Sequence, residues 1–290
     1  MNGHKIAVLF FMMSGADVGG CGAVEPSQAL STGCGGAVVV PGTYTLSTLD
    51  GAGIIRRYDV VIPVGYNDTV GHSVIYAFHA AGGTAAQARA WGFQNQGTTH
   101  PILVAPQGRA YLRYGIGWDD HCTGYDMAFF ENMRAHIEAT YCVDRTKRYV
   151  AGFSWGGDFA TALTCCKGAE ISAAAIASAS DEFTCGKNYS PTDYKTYQNY
   201  ASCTGVQNKT DIRMTHDALN YDSGYRFPFF ATTEDLFRAW NSCTTAQTTV
   251  GACKHYTCTG KAFWDCGYTG LGHAIPSTWV ADSWAFFSTH

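Results

Sequence analysis

The run Gly152-Phe153-Ser154-Trp155-Gly156-Gly157 sets a serine between glycines two residues away on each side. A strand-like segment, Tyr149-Val150-Ala151, leads into it, and an apolar helix-like one, Phe159 to Leu163, follows. A Gly-x-Ser-x-Gly run at a strand-to-helix turn has a physical purpose. Small flanking residues permit a sharp backbone bend that lifts the hydroxyl clear of a sheet. A serine hydroxyl is a poor nucleophile until a base takes its proton, so this chemistry also requires a histidine. Ten histidines compete. His273 is the best placed, in the glycine-rich loop Gly270-Leu271-Gly272-His273-Ala274-Ile275-Pro276 just before the last helix-like segment. His255 sits among cysteines and His290 at the end of the chain. With Ser154 as nucleophile and His273 as general base, the chemistry would be two-step acyl transfer, which calls for no metal and no cofactor. The bland alternatives are a glycine-serine turn and a surface-loop histidine.

Acyl transfer needs backbone N–H groups aimed at the oxygen that becomes negative. The N–H of Trp155, next after the serine, is one candidate. The segment Phe78-His79-Ala80-Ala81-Gly82-Gly83-Thr84 follows an early strand-like run and resembles the loop that supplies the second donor in such sites. That likeness points to Ala81 or a neighbour and leaves His79 a structural role. Trp118 and Trp155 are the aromatic candidates for stacking on a substrate ring, although most aromatic residues of a globular chain serve its core.

These residues need a rigid frame. Arg57 to Pro63, Ser73 to His79, Ile102 to Ala105, Arg148 to Gly152, Ile171 to Ser178 and Asp211 to Thr215 read as strands, being short and rich in β-branched or apolar residues. Met127, Phe130, Met133, Ile137 and Tyr141 recur at three- and four-residue spacings, which predicts a helix over Tyr125 to Tyr141. Further helices are expected at Thr233 to Trp240 and Ser277 to Phe287. Short apolar strands alternating with helices predict an α/β fold, a mostly parallel central sheet with helices on both faces. Asp181 to Lys209 has no periodicity and reads as a long loop or lid.

A chain of 290 residues can bury a large core, and residues 17–290 read as a single domain. The formal net charge of −4 and the absence of a Lys/Arg cluster argue against a nucleic-acid partner. No apolar run approaches the roughly 20 residues that span a bilayer. Twelve cysteines, an even number, suit disulfides formed in an oxidising compartment. Lys5, the apolar stretch Ile6 to Met13, and the small residues Ser14 and Ala16 fit a signal peptide over residues 1–16, hence a secreted enzyme, which is expected to be a monomer. Asn67, Asn188 and Asn208 open N-x-S/T sequons. Adjacent Cys165 and Cys166 are expected to bond two different distant cysteines. The cluster Cys253, His255, Cys258 and Cys266 raises a zinc alternative, which the compartment disfavours.

Taken together, several blocks resemble the feruloyl esterase and poly(3-hydroxybutyrate) depolymerase-like branch of the α/β-hydrolases, which also includes acetylxylan esterases. They are the His79 loop, Val104-Ala105-Pro106-Gln107-Gly108, Gly117-Trp118, Cys142-Val143-Asp144, the Ser154 motif, Gly272-His273 and Trp284-Ala285-Phe286-Phe287. The resemblance runs from about Arg57 to Phe287 and implies an α/β-hydrolase fold with the triad in the order serine, acid, histidine. It implies ester hydrolysis, foremost of hydroxycinnamoyl groups on plant cell-wall polysaccharide. A polyester depolymerase, an acetylxylan esterase and a catalytically impaired carbohydrate-binding homologue are the alternatives. Tannase-like feruloyl esterases place cysteines where Phe153 and Ala274 stand here, so that relative is disfavoured. At the acid the chain departs from the family pattern. The family's His-Gly-x-x-Asp segment corresponds to His216-Asp217-Ala218-Leu219-Asn220, which ends on an amide. A small insertion would bring in Asp222, the preferred acid, with Asp217 second and Asn220 the residue an ungapped match would supply.

Overall fold

The computed structural model of the protein describes residues 29–36, 39–111, 115–179, 209–218, 221–222, 225–226 and 229–290. Residues 1–16, most of the 181–209 loop, and the sequons at Asn188 and Asn208 lie outside the described residues. Asn67 is exposed in a turn.

The strands in chain order are β1 (Gly42–Leu49), β2 (Ile55–Ile62), β3 (His72–Phe78), β4 (Ile102–Pro106), β5 (Arg109–Tyr111), β6 (Gly115–Gly117), β7 (Val143–Phe153), β8 (Ala173–Ala177), β9 (Asp211–Asp217), β10 (Tyr221–Asp222), β11 (Tyr225–Arg226), β12 (Cys243–Val250), β13 (Cys253–Cys258) and β14 (Phe263–Tyr268). The helices are α1 (Ala85–Ala90), α2 (Tyr125–Thr140), α3 (Trp155–Lys167), α4 (Phe229–Trp240) and α5 (Trp279–Phe287). Ten strands form one sheet in the order β1-β2-β4-β3-β7-β8-β9-β14-β13-β12. Its centre, β4 through β14, is parallel, and antiparallel strands extend both edges.

Successive side chains of β3 alternate between the two faces, as the pleat requires. Val74, Tyr76 and Phe78 join one buried cluster with Met127, Phe130 and Met133 of α2, Phe159 and Leu163 of α3, and Leu236 and Phe237 of α4. Ile75 and Ala77 join the other, with Ala85 and Ala88 of α1 and Trp279, Phe286 and Phe287 of α5. Strand β8, Ala173-Ala174-Ala175-Ile176-Ala177, is buried on both faces. This is the α/β-hydrolase fold, with the expected strands present to within a few residues except for β7. That strand is longer than expected, because Val143 to Lys147 continue it beyond the apolar run.

The edges were the least legible part. Strand β12 is exposed along nearly its whole length and carries no apolar face. It is held instead by covalent pairing, Cys243 to Cys258, and the next strand by Cys253 to Cys266. Those bonds consume the thiolates that the zinc alternative needed. Cys122 bonds Cys166 while Cys165 is separately disulfide-bonded, so the adjacent pair diverges as expected. Cys34 bonds Cys142 across 108 residues and fastens the chain before β1 to the start of β7. A loop of this size constrains the unfolded chain by about 4 to 5 kcal/mol. Reduction is therefore expected to lower Tm by more than 10 °C, read by circular dichroism with and without thiol. A shift of under 2 °C would refute a stabilising role.

Candidate active site

Strand β7 ends at Phe153 and α3 begins at Trp155, so Ser154 is the whole connection. Its backbone is at φ 54° and ψ −128°, a conformation that side chains other than glycine seldom adopt. It is held there because Ser154 N–H donates to Ala177 O at 2.9 Å and Ser154 O accepts from Gly157 N–H at 2.7 Å. The glycines are required by contact. A side chain at Gly152 would strike the carbonyl of Gly156, and one at Gly156 would strike those of Phe78 and His79. The second approach sets the first turn of α3 against the end of β3 and so brings the His79 loop beside the serine. A serine at a helix N-cap ordinarily accepts from the first turn, and here the hydroxyl makes no such bond. It lies 2.8 Å from His273 Nε2.

His273 follows β14, after two turn residues, Gly270 and Gly272, at φ 73° and 61°. The ring of Phe153 lies 4.9 Å from the imidazole, centre to centre. Asp217 ends β9, is 2% exposed, and its carboxylate accepts Gly272 N–H at 2.8 Å, one residue before the histidine. Asp222 lies in the short β10–β11 hairpin, and Asn220 falls outside the described residues. His216, buried beside Asp217, binds Asp265 at 2.7 Å through Nε2. Burial works against its protonation, but the Asp265 carboxylate outweighs it and raises the His216 pKa above the usual histidine range. His255 stacks on Trp264 at 3.8 Å within the disulfide-bonded edge.

The His79 loop is tightly specified. His79 Nδ1 donates to Ala80 O at 2.7 Å, which leaves Nε2 to accept Gly108 N–H at 2.9 Å. Burial lowers the pKa of this histidine, which keeps the ring neutral and consistent with that pattern. Gly82 and Gly83 N–H already donate to Ile116 O and Ala80 O, at 2.7 and 2.9 Å. Exposed Ala81 is the neighbour left to offer its N–H.

Trp118 does not face a substrate. It is 1% exposed, stacks on Phe159 at 5.4 Å, and its Nε1–H donates to His79 O at 2.8 Å. Its role is to brace the His79 loop from the core, which corrects the expectation of a binding face. Trp155 is half-buried, its ring covering Gly117 and lying 5.8 Å from Tyr111. Asp126 anchors the same region by accepting from Arg56 at 2.7 Å, Tyr111 at 2.8 Å and Asp119 N–H at 2.7 Å. A cavity of about 870 Å³ opens among Arg145, Arg148, Ser172 and Phe287, at the opposite ends of the strands, and holds none of the candidate residues. No helix among the described residues is long and apolar enough to cross a membrane.

Comparison with known proteins gives relatives by sequence and by fold. No family model matches the chain. The chain is 28% identical over 231 residues to the protein named "Probable feruloyl esterase C" of Aspergillus oryzae, covering 77% of this chain and 73% of that one. It is 32% identical over 165 residues to feruloyl esterase C of Emericella nidulans, covering 54% of this chain and 57% of the relative. Among solved structures, an acetyl xylan esterase from Aspergillus awamori superposes with a TM-score of 0.62 at 15% identity, over 84% of this chain and 99% of that one. A ferulic acid esterase from Anaeromyces mucronatus, in complex with ferulic acid, superposes with a TM-score of 0.58 at 14% identity, over 87% and 91%.

Proposed function

We propose that this chain, an α/β-hydrolase-fold relative of the fungal feruloyl esterases, is a serine esterase that releases hydroxycinnamic acids from plant cell-wall polysaccharide. The observation that carries the reading is the 2.8 Å approach of His273 Nε2 to the hydroxyl of Ser154, at a serine held in a strained turn with that hydroxyl unused as a cap. The sequence relatives add the ester class and its acyl group.

In the first step Ser154 Oγ attacks the ester carbonyl carbon while His273 Nε2 takes the hydroxyl proton. The carbonyl oxygen becomes negative and is met by the N–H groups of Trp155 and Ala81. His273 then returns its proton to the leaving alcohol oxygen as the C–O bond breaks, leaving an acyl group on Ser154. Water enters, loses a proton to His273, and attacks the acyl carbon; the acid departs and Ser154 recovers its proton. Asp222 is the acid we assign to orient His273, with Asp217 the alternative. Trp155 offers the remaining aromatic face near the reacting serine. The disulfides suit an extracellular enzyme, which we read as a monomer acting on a polysaccharide ester.

Rates on methyl ferulate, acetylated xylan and a hydroxybutyrate oligomer test the substrate. The expected kcat/KM is about 5-fold higher or more for methyl ferulate, since an aromatic acyl group gains stacking that an acetyl group cannot, about 1 kcal/mol per good ring contact. A preference for either of the others would transfer the enzyme to that substrate class.

A further inference from the structure

We propose that Ser178 is a positioning residue for the general base, holding the loop of His273 through the carbonyl of Ala274. The inference rests on the reading of Ser154 and His273 given above. Ser178 directly follows β8 and is 5% exposed. It is one of four non-glycine residues at positive φ among the described residues, at 45°. Such a backbone is costly for a side chain and persists only where the surroundings impose it. Its N–H donates to Thr215 O at 2.8 Å, which fixes the backbone to β9, and its hydroxyl donates to Ala274 O at 3.0 Å.

On the other side of the histidine, Gly272 N–H is held by the Asp217 carboxylate at 2.8 Å. Between these two ties Ala274 N–H donates to Gly272 O at 3.0 Å, closing a three-residue turn with His273 at its centre. The base is thus gripped through the residues on both sides, Gly272 and Ala274, one grip from the end of β9 and the other from the end of β8. Both strands are buried in the parallel sheet, and the end of β8 also receives Ser154 N–H through Ala177 O. Nucleophile and base therefore share one short, rigid support at Ala177 and Ser178. A misplacement of about 1 Å between reacting groups can cost on the order of 100-fold in rate. The Ser178 hydroxyl is the one contact on this support that a single substitution can remove without emptying the core.

The test compares Ser178→Ala and Ser178→Gly on 4-nitrophenyl acetate. Glycine removes the hydroxyl and also relieves the positive-φ backbone, so a structural role and a positioning role diverge. We expect kcat to fall about 10- to 100-fold in both variants with KM within about twofold, while Tm of the glycine variant stays at or above that of the wild type. A glycine variant with kcat within twofold of the wild type, or a loss of kcat that tracks a loss of Tm in both variants, would overturn the proposal. Full activity in Ser154→Ala would instead overturn the esterase reading beneath it.

Discussion

Replacing Ser154 by alanine is expected to abolish ester hydrolysis, and His273→Ala to do the same, each by about 10⁴-fold or more. The two groups act on one proton, so removing either leaves the other without a role, and the double variant should be no worse than the single ones. Neither change should unfold the protein. Alanine carries the same Cβ as serine at φ 54°, so the strained turn is no more strained, and the bonds that hold it are backbone bonds to Ala177 and Gly157. His273 is half-buried in a loop and leaves no core cavity. The measurement is the rate on methyl ferulate together with Tm. Activity near the wild type in either variant would remove that residue from the mechanism, and a collapse of Tm would make the loss of rate uninformative about chemistry. What the variants should retain is the rate enhancement that donors at Trp155 and Ala81 provide without a nucleophile, on the order of 10³-fold over water.

The pairing of Ser154 with His273 was legible in sequence because each sits in a local pattern that the fold leaves intact: glycines at the elbow, and a glycine-rich loop before the last helix. The central strands were legible for a similar reason, since burial on both faces writes a continuous apolar run. Trp118 was misread because an indole has the same signature in a core as in a cleft. Only the position of its N–H, donating to His79 O, tells the two apart. Ser178 carries no pattern at all. It is a serine in an alanine-rich run, and its positive φ and its bond to Ala274 depend on tertiary contacts, to Thr215 and to Ala274, that no local pattern announces. Strand β12 was missed because threonine-rich, exposed residues paired through a disulfide give no alternation to detect. The acid was ambiguous because three candidates crowd the seven residues from His216 to Asp222, where a register shift of one or two positions decides which reaches the imidazole.

That ambiguity sets the second large effect. If Asp222 orients His273 and stabilises the imidazolium, Asp222→Asn should lower kcat by about 10⁴-fold, because an amide keeps the shape of the side chain but loses the charge that favours the protonated ring. Asp217→Asn should then keep most of the activity. Asp217 accepts the Gly272 N–H, and an asparagine carbonyl oxygen can accept that bond as a carboxylate does. Asp217→Ala separates the two roles further, since it deletes the acceptor and frees the loop, with an expected loss of about 10-fold. A loss of about 10⁴-fold in Asp217→Asn with near-normal Asp222→Asn would move the acid to the end of β9. There one carboxylate would serve both the ring and the backbone beside it. If neither asparagine variant changes kcat, the orienting group is Asn220, and the enzyme works without a charged partner for its histidine. Such a site would show a weaker base, and Asn220→Asp should then raise kcat rather than lower it, the one outcome in the set that a carboxylate triad forbids.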